Sequence, residues 1–199
     1  RENSSAKTYR INNCVDNSFY NLRRQPQKNS VLFVAALVER KGLLDLLKAI
    51  KLIKIENLTL NIVGPTNWDQ DYFGKCKKFV DENNLKNINF KGLLSKSELL
   101  EEYQNNQILC LPSYSETAPM VISQALASKM TVLSTSVGEI PKMLGENKAF
   151  LFEPGNVRIL SEKLPFALNE SHKFKFGTLP MCYHESKVFK SYSDALHEI

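Results

Sequence analysis

Residues 31–63 carry the sequence VLFVAALVERKGLLDLLKAIKLIKIENLTLNIV, which has the pattern of a strand, a helix and a second strand. The continuous apolar run at 31–37 is typical of a strand that is covered on both faces. In residues 41–54 leucines and isoleucines recur at helical spacing, and the apolar run at 58–63 stops at a Gly-Pro pair. Parallel strands need a crossover of about this length, so the stretch predicts a βαβ unit.

The same alternation continues to about residue 170. Further strands are predicted at 88–90, 108–111, 131–134 and 150–152, and further helices at 70–82, from residue 95, and at 119–128, 141–144 and 157–168. Ser95 is followed three residues later by Glu98, which is the spacing of a capping box at a helix start. We therefore predict an α/β fold: a doubly wound parallel sheet of about six strands, helices on both faces and a C-terminal helix.

The 199 residues are enough for one domain, and a composition of 43% apolar and 24% charged residues is ordinary for a soluble globular protein. Residues 1–30 are polar and are expected to be a connecting segment. The repeating part at 31–170 is expected to be the domain, and residues 171–199 a loop and a terminal helix. No apolar run approaches the ~18 residues that a membrane span requires.

The net charge of +5 suits an anionic small ligand but is too small to indicate nucleic acid. Four cysteines without a close pair favour buried or inert thiols in a reducing compartment. The three histidines have no metal-ligand spacing, and neither a dinucleotide-binding GxGxxG nor a P-loop motif is present.

Ligands of such sheets bind outside the carboxyl ends of the strands, so the loops there are the candidates for a site. The loop at 112–118 contains Glu116, and the helix after it begins near Pro119 with free backbone amides. Gln124 is eight residues, or a little over two helical turns, beyond Glu116. These groups would suit a sugar phosphate. The alternative is that Glu116 only caps the helix.

Two more loops at this edge carry relevant residues. Arg40 and Lys41 follow the first strand, where both could reach a phosphate, although a solvated run of charges is the usual interpretation. Gly138, in the loop after the fifth strand, would permit another backbone to approach closely.

These segments, in this order, resemble the C-terminal domain of a retaining glycosyltransferase of the GT-B fold, in glycosyltransferase family four (glycosyl transferases group 1). The segments that carry the resemblance are INNCVD (11–16), LFVAALVERKG (32–42), IVG (62–64), INFKG (88–92), LPSYSETAPMVISQALA (111–127), VGEIP (137–141) and FEPG (152–155). The resemblance covers roughly residues 9–199. It implies a Rossmann-like domain that forms one half of a two-domain enzyme. Residues 1–30 would then be the linker from a missing N-terminal domain.

The resemblance also implies roles for individual residues. Glu116 and Lys41 would be catalytic: Glu116 holds the hydroxyls of the transferred sugar, and Lys41 neutralises the diphosphate that leaves. The implied substrate-binding residues are Gln124 at the ribose, the backbone at Thr117, Ala118, Pro119 and Met120 at the diphosphate, Gly92, Leu93 and Leu94 at the base, and Arg40 and Ser113. No metal or other cofactor is expected.

Two positions depart from the family pattern. Ala36 stands where the family has an Arg that clamps the phosphates, and Gln124 stands where it has a second Glu. Removing one stabiliser of transition-state charge typically costs ~10²–10³ in rate, unless Arg40 takes its place. The alternative function is therefore a catalytically impaired domain with a binding or regulatory role.

The leading hypothesis is a donor-binding domain that serves transfer of a sugar from a UDP- or GDP-sugar to a glycan or lipid-linked acceptor, in polysaccharide biosynthesis. Its expected partners are the nucleotide-sugar donor, the acceptor and the N-terminal domain of the same enzyme, without which turnover is not expected. Nucleic acid is not an expected partner. The expected location is the cytoplasm, with peripheral contact of the full enzyme with a membrane.

Overall fold

The fold is taken from a computed structural model that describes residues 13–176 and the single positions 188, 190 and 193. The strands are β1 (Ser30–Val34), β2 (Thr59–Val63), β3 (Ile88–Gly92), β4 (Ile108–Leu111), β5 (Thr131–Thr135) and β6 (Leu151–Phe152). The helices are α1 (Asn17–Tyr20), α2 (Leu43–Leu52), α3 (Gln70–Glu82), α4 (Lys96–Asn105), α5 (Met120–Ala127), α6 (Ile140–Leu144) and α7 (Val157–Asn169). Single 3₁₀ turns lie at Glu39–Lys41, Lys148–Phe150 and Ser171–Lys173.

The six strands form one sheet in the order β3-β2-β1-β4-β5-β6, and every neighbouring pair is parallel. The chain moves outward from β1 to β3 and then returns past β1 to β4. Right-handed crossovers therefore place α2 and α3 on one face of the sheet and α4, α5 and α6 on the other. The predicted doubly wound parallel sheet of six strands is confirmed.

The central strands explain why their sequences are continuously apolar. Every residue of β4 and β5 is buried, and so is β1 except for its last residue, because helices cover both faces. The edge strand β3 instead alternates between partly buried and exposed residues. Tyr103 of α4 is fully buried, and its ring meets that of Phe19 edge-on at 5.1 Å between centroids.

Two boundaries differ from the sequence prediction, which placed a strand at 31–37 and a helix at 41–54. β1 ends at Val34 because the chain then turns across the end of β2, where the Leu37 amide donates to the Pro65 carbonyl at 3.2 Å. The predicted helix begins as a 3₁₀ turn and becomes α2 only after Gly42.

The segment before β1 is more ordered than a polar connector suggests. It contains α1, where the Asp16 side chain accepts a hydrogen bond from the Ser18 amide and Phe19 is buried. The domain boundaries themselves stay a prediction. Residues 1–12 lie outside the described part of the chain, and so does most of the loop and terminal helix predicted at 171–199.

Three of the four cysteines lie in the described part of the chain, and Cys182 lies outside it. Cys76 and Cys110 are buried, and burial raises the pKa of the Cys76 thiol to about 11. Cys14 is exposed, so the expectation of buried or inert thiols stays a prediction for it. Across residues 13–176, none of the helices has the length and apolar character that crossing a membrane demands.

Candidate functional site

The candidate site lies where the strand order reverses. β1 and β4 are neighbours in the sheet, but the chain leaves them in opposite directions, toward β2 and toward β5. The two connections therefore separate at the carboxyl ends of these strands and leave a crevice, which is the usual ligand position in open parallel sheets. Residues 35–42 follow β1 here, and residues 112–119 follow β4.

A nearly buried ion pair joins the two loops. The Lys41 ammonium donates to Oε1 of Glu116 at 2.5 Å, and the Ser113 hydroxyl donates to the same oxygen at 2.8 Å. The side chains of Lys41 and Glu116 are only 14% and 7% exposed. The ion pair and the hydrogen bond together fix the position of the Glu116 carboxylate.

Gly42 allows the two loops to approach so closely. Its φ is +73°, and a Cβ there would lie 2.1 Å from the Pro112 carbonyl oxygen. The Tyr114 amide donates to the Arg40 carbonyl at 2.8 Å, which adds a backbone bond between the loops. The sequence K-G directly before α2 thus sets Lys41 against the loop that carries Glu116.

Arg40 lies at the rim of the site. Its guanidinium donates to the Ser115 carbonyl at 3.3 Å. Arg40 and residues 115–119 line an open pocket of about 400 Å³. A cation therefore borders a concave surface made largely of loop backbone.

A third loop supports the same segment, as the position of Gly138 in the sequence suggested. A Cβ on Gly138 would lie 2.0 Å from the Glu116 carbonyl oxygen, and its φ is +56°. The Glu139 amide donates to the Thr117 carbonyl at 2.9 Å. The close backbone approach predicted for Gly138 is therefore present.

The structure does not support the view of Glu116 as a helix cap. The N-cap of α5 is Pro119, no side chain bonds to the amides of its first turn, and Glu116 faces Lys41 instead. The helix begins one residue later than predicted, at Met120. In this first turn the Ile122 amide donates to the Pro119 carbonyl at 3.1 Å, whereas the amides before it precede the first acceptor within the helix and follow directly on the pocket-lining segment.

Two groups of predicted residues lie apart from this pocket. Gln124 accepts a hydrogen bond at 3.1 Å from the Tyr103 hydroxyl and does not line the pocket. The segment 92–94 follows β3, which is two strands from β1 and therefore about 10 Å away. The structure thus brings together Lys41, Ser113, Glu116, Arg40 and residues 117–119, whereas Gln124, Gly92, Leu93 and Leu94 are not part of that cluster.

Tyr114 is a residue that the sequence analysis missed. Its hydroxyl donates to Oδ2 of Asp45, in the first turn of α2, at 2.5 Å. The hydrogen bond to the Asp45 carboxylate, together with burial, raises the pKa of Tyr114 to about 12. No local pattern could have indicated this contact, because its partners are 69 residues apart.

The residues that could hold a metal are few. Within the described part of the chain, no three His, Cys, Asp or Glu side chains lie close enough together to hold an ion. The expectation that no metal is needed stays a prediction.

Comparisons with known proteins agree with this geometry. The family model described as "Glycosyl transferases group 1" matches residues 16–175. An uncharacterized protein of the cps region of Klebsiella pneumoniae is 26% identical over 94% of this chain and 51% of its own length. The chain spans about half or less of the curated relatives that it matches.

Two solved structures share the fold. HepE from Anabaena, in complex with UDP and glucose, superimposes with a TM-score of 0.81 at 15% identity, covering 95% of this chain and 56% of that one. The C-terminal domain of the glycosyl transferase group 1 family protein LpcC from Francisella tularensis gives a TM-score of 0.65 at 19% identity. That match covers 90% of this chain and 95% of the LpcC domain.

Proposed function

The chain belongs to the glycosyl transferases group 1 family, and on that premise we propose that it is the donor-binding domain of a retaining glycosyltransferase. The proposal assigns it to the C-terminal half of a GT-B enzyme of family four. That enzyme would transfer a sugar from a UDP- or GDP-sugar to a glycan or lipid-linked acceptor in the cytoplasm. Turnover would need the N-terminal domain of the same enzyme.

The observation that carries the proposal is the pairing of Lys41 with Glu116 at the point where the strand order reverses. A nucleotide sugar presents a diphosphate and a ring of hydroxyls side by side. An ammonium suits the first and a carboxylate suits the second. When a donor enters, its diphosphate would take Glu116's place beside Lys41, and Glu116 would turn to the sugar hydroxyls while Ser113 keeps hold of its carboxylate.

Bond cleavage between sugar and diphosphate leaves negative charge on the leaving group. Fixed positive charge in a partly dry site stabilises that charge most. Lys41 would supply this charge on one side, and the free amides at the start of α5 would supply partial charge on the other. No metal is required for such a step in this proposal.

Arg40 is proposed to replace the arginine that the family has at the position of Ala36. The Arg40 guanidinium already lines the pocket with residues 115–119. Its planar fork can bind a phosphate through two hydrogen bonds. Arg40→Ala in the full-length enzyme should therefore lower the transfer rate, and an unchanged rate would remove Arg40 from the mechanism.

Two similarities support the proposal. HepE, which shares the fold, was crystallised with UDP and glucose. The LpcC structure is described as a C-terminal domain, and this chain matches nearly its whole length. Both identities lie below 25%, so these structures support the architecture, whereas the donor rests on the site residues and the retaining mechanism on the resemblance in sequence motifs.

The direct test is calorimetric titration of the 199-residue chain with UDP and with GDP. We expect one of them to bind, and Lys41→Ala to weaken its binding about tenfold or more, since a charge-assisted contact to phosphate is lost. Lys75→Ala removes an exposed lysine of α3 that does not line the pocket, and should bind like the parent. A folded chain that binds neither nucleotide would refute the proposal.

A second candidate is a domain that binds a nucleotide sugar without supporting transfer. Two observations favour it: Ala36 lacks a charge, and the Gln124 amide oxygen is already engaged by Tyr103. The two candidates differ in the full-length protein. Nucleotide binding without hydrolysis or transfer of any UDP- or GDP-sugar supports the second, and measurable transfer excludes it.

A further inference from the structure

Tyr114 is fixed at three points although it belongs to an exposed part of the loop after β4. Its hydroxyl donates to Asp45 of α2, and its amide donates to the Arg40 carbonyl at 2.8 Å. Its ring lies beside Gly155, where an added Cβ would be 3.3 Å from the ring edge. One side chain therefore links the loop to α2 and to the turn before α7.

The Asp45 end of this link is built into the domain. Asp45 is 8% exposed, in the first turn of α2, where the helix dipole favours a carboxylate. Its other oxygen lies 3.6 Å from the Lys48 ammonium. Since α2 begins directly after Gly42, Asp45 and Lys41 lie on one rigid piece of backbone.

The Tyr114 ring is 46% exposed, so it adds little to the hydrophobic core. Instead, Tyr114 connects the loop, two residues before Glu116, to the start of α2, which directly follows Lys41 and Gly42. On the far side of Glu116 the loop is held through the Thr117 carbonyl by Glu139. Glu116 thus lies in a short span with one anchor on each side.

We propose that Tyr114 is a positioning residue for the donor site: its hydrogen bond to Asp45 sets where the Glu116 carboxylate and the pocket backbone stand relative to Lys41. This role rests on the proposed function. Without the bond, the 114–116 span keeps its contacts with Arg40 and those of Glu116 with Lys41 and Ser113, but it loses its side-chain attachment to α2. The pocket is then less fixed in geometry, which lowers ligand affinity.

The test is UDP affinity, with GDP in a parallel arm, measured on the 199-residue chain carrying Tyr114→Phe. The ring stays and only the hydroxyl is lost, so we expect an affinity about five- to tenfold lower and a nearly unchanged melting temperature. Asp45→Leu should give the same loss. Asp45→Asn keeps an oxygen that accepts from Tyr114 and should restore affinity to within about twofold of the parent.

Tyr72→Phe is the matched control. The Tyr72 hydroxyl accepts a hydrogen bond from the Leu44 amide at 2.9 Å, also in the first turn of α2, but Tyr72 belongs to α3 and this bond does not involve the loop after β4. This variant should lose stability and keep its UDP affinity. The two tyrosines thus separate support of α2 from support of the donor loop.

The outcomes separate two failures. If the parent chain binds UDP or GDP and Tyr114→Phe binds it equally well, or if Tyr72→Phe weakens binding just as much, the positioning role is wrong and the proposed function stands. If the parent binds neither nucleotide, the proposed function fails, and the positioning role fails with it.

Discussion

A cationic side chain lies at each end of the strands, here called the carboxyl edge and the amino edge, and the two side chains have different kinds of partner. At the carboxyl edge Lys41 is paired with the carboxylate of Glu116, next to an open pocket. At the amino edge the Arg24 guanidinium donates to four backbone carbonyls, those of Tyr103, Asn106, Gln107 and Lys129. These carbonyls lie at and beyond the C-terminal ends of α4 and α5, where unsatisfied acceptors and negative dipole ends are found.

The difference separates the proposed binding site from a structural clamp. A carboxylate can give up a lysine to an anionic ligand and turn to that ligand's hydroxyls, so the pair at the carboxyl edge is exchangeable. Carbonyls fixed in the backbone cannot move aside, and the negative ends of two helices repel an anion. Burial lowers the pKa of the Arg24 guanidinium to about 10, yet the group stays charged at neutral pH.

The largest expected effect comes from Gly42→Ala at the carboxyl edge. The left-handed φ of +73° is unfavourable for alanine, and the new methyl group would meet the Pro112 carbonyl at 2.1 Å. The loops must separate, so we expect the free energy of unfolding to fall by about 4 kcal/mol and nucleotide binding to be lost. Urea denaturation and UDP titration measure the two effects. Retention of both would mean that close contact of these loops does not build the site.

Arg24→Ala is the corresponding change at the amino edge. It leaves four carbonyls without their donor, and we expect a loss of about 3 kcal/mol in the free energy of unfolding. UDP affinity below the melting temperature should stay within about twofold, because the clamp lies at the opposite end of the strands. Arg24→Lys restores the positive charge but not the planar guanidinium that donates several hydrogen bonds at once. It should therefore recover only part of the lost free energy of unfolding. Weakened UDP binding in a folded Arg24 variant would contradict the separation of the two edges.

Gly74→Ala in α3 shows whether the Gly42 result comes from its position rather than from the type of substitution. Gly74 lies inside a helix, and a Cβ there would meet no atom within 4 Å. Alanine lowers the entropy lost on folding, so we expect a gain of about 1 kcal/mol. The melting temperature should rise with UDP affinity unchanged, and a destabilised Gly74→Ala would undermine the steric explanation at Gly42.

The sequence allowed the carboxyl edge to be predicted because that edge follows from order along the chain. Once strands and helices alternate, the loops after β1 and β4 must meet, and Lys41 and Glu116 lie in those loops. Arg24 lies in a polar stretch that gave no sign of a clamp, and its acceptors are 79 to 105 residues away. The Tyr114–Asp45 and Tyr103–Gln124 contacts were missed for the same reason. Hydrophobic periodicity encodes which face is buried, and it does not encode which polar groups meet across the sheet.

Helix α4 contains one feature that the sequence predicted and one that it did not. Its N-terminus lies at the carboxyl edge, and its C-terminal end reaches the Arg24 clamp. The predicted capping box is confirmed at the first end: the Ser95 hydroxyl accepts from the Glu98 amide, and the Glu98 carboxylate accepts from the Ser95 amide at 2.8 Å. The Ser95 hydroxyl also donates to the Glu98 carboxylate at 2.6 Å, and this bond together with that from the Ser95 amide lowers the pKa of Glu98 below its usual value. A carboxyl group with a lowered folded-state pKa stabilises the fold above its unfolded pKa, and that contribution disappears as the pH falls through the folded pKa.

Glu98→Gln keeps an oxygen that can accept from Ser95 but cannot titrate, so it isolates the charge. The smallest of the four effects should therefore appear as a stability advantage of the parent over Glu98→Gln at pH 7. It should decline as the pH falls below the ordinary pKa of Glu, ~4.3, and vanish as the pH passes through the lowered folded pKa. Other carboxylates are common to both proteins and cancel in the difference between their unfolding curves. A difference that does not depend on pH would mean that the Glu98 charge contributes nothing to the cap. Arg24→Ala should leave this pH dependence intact, because the clamp holds the other end of α4 through contacts that do not titrate in this range.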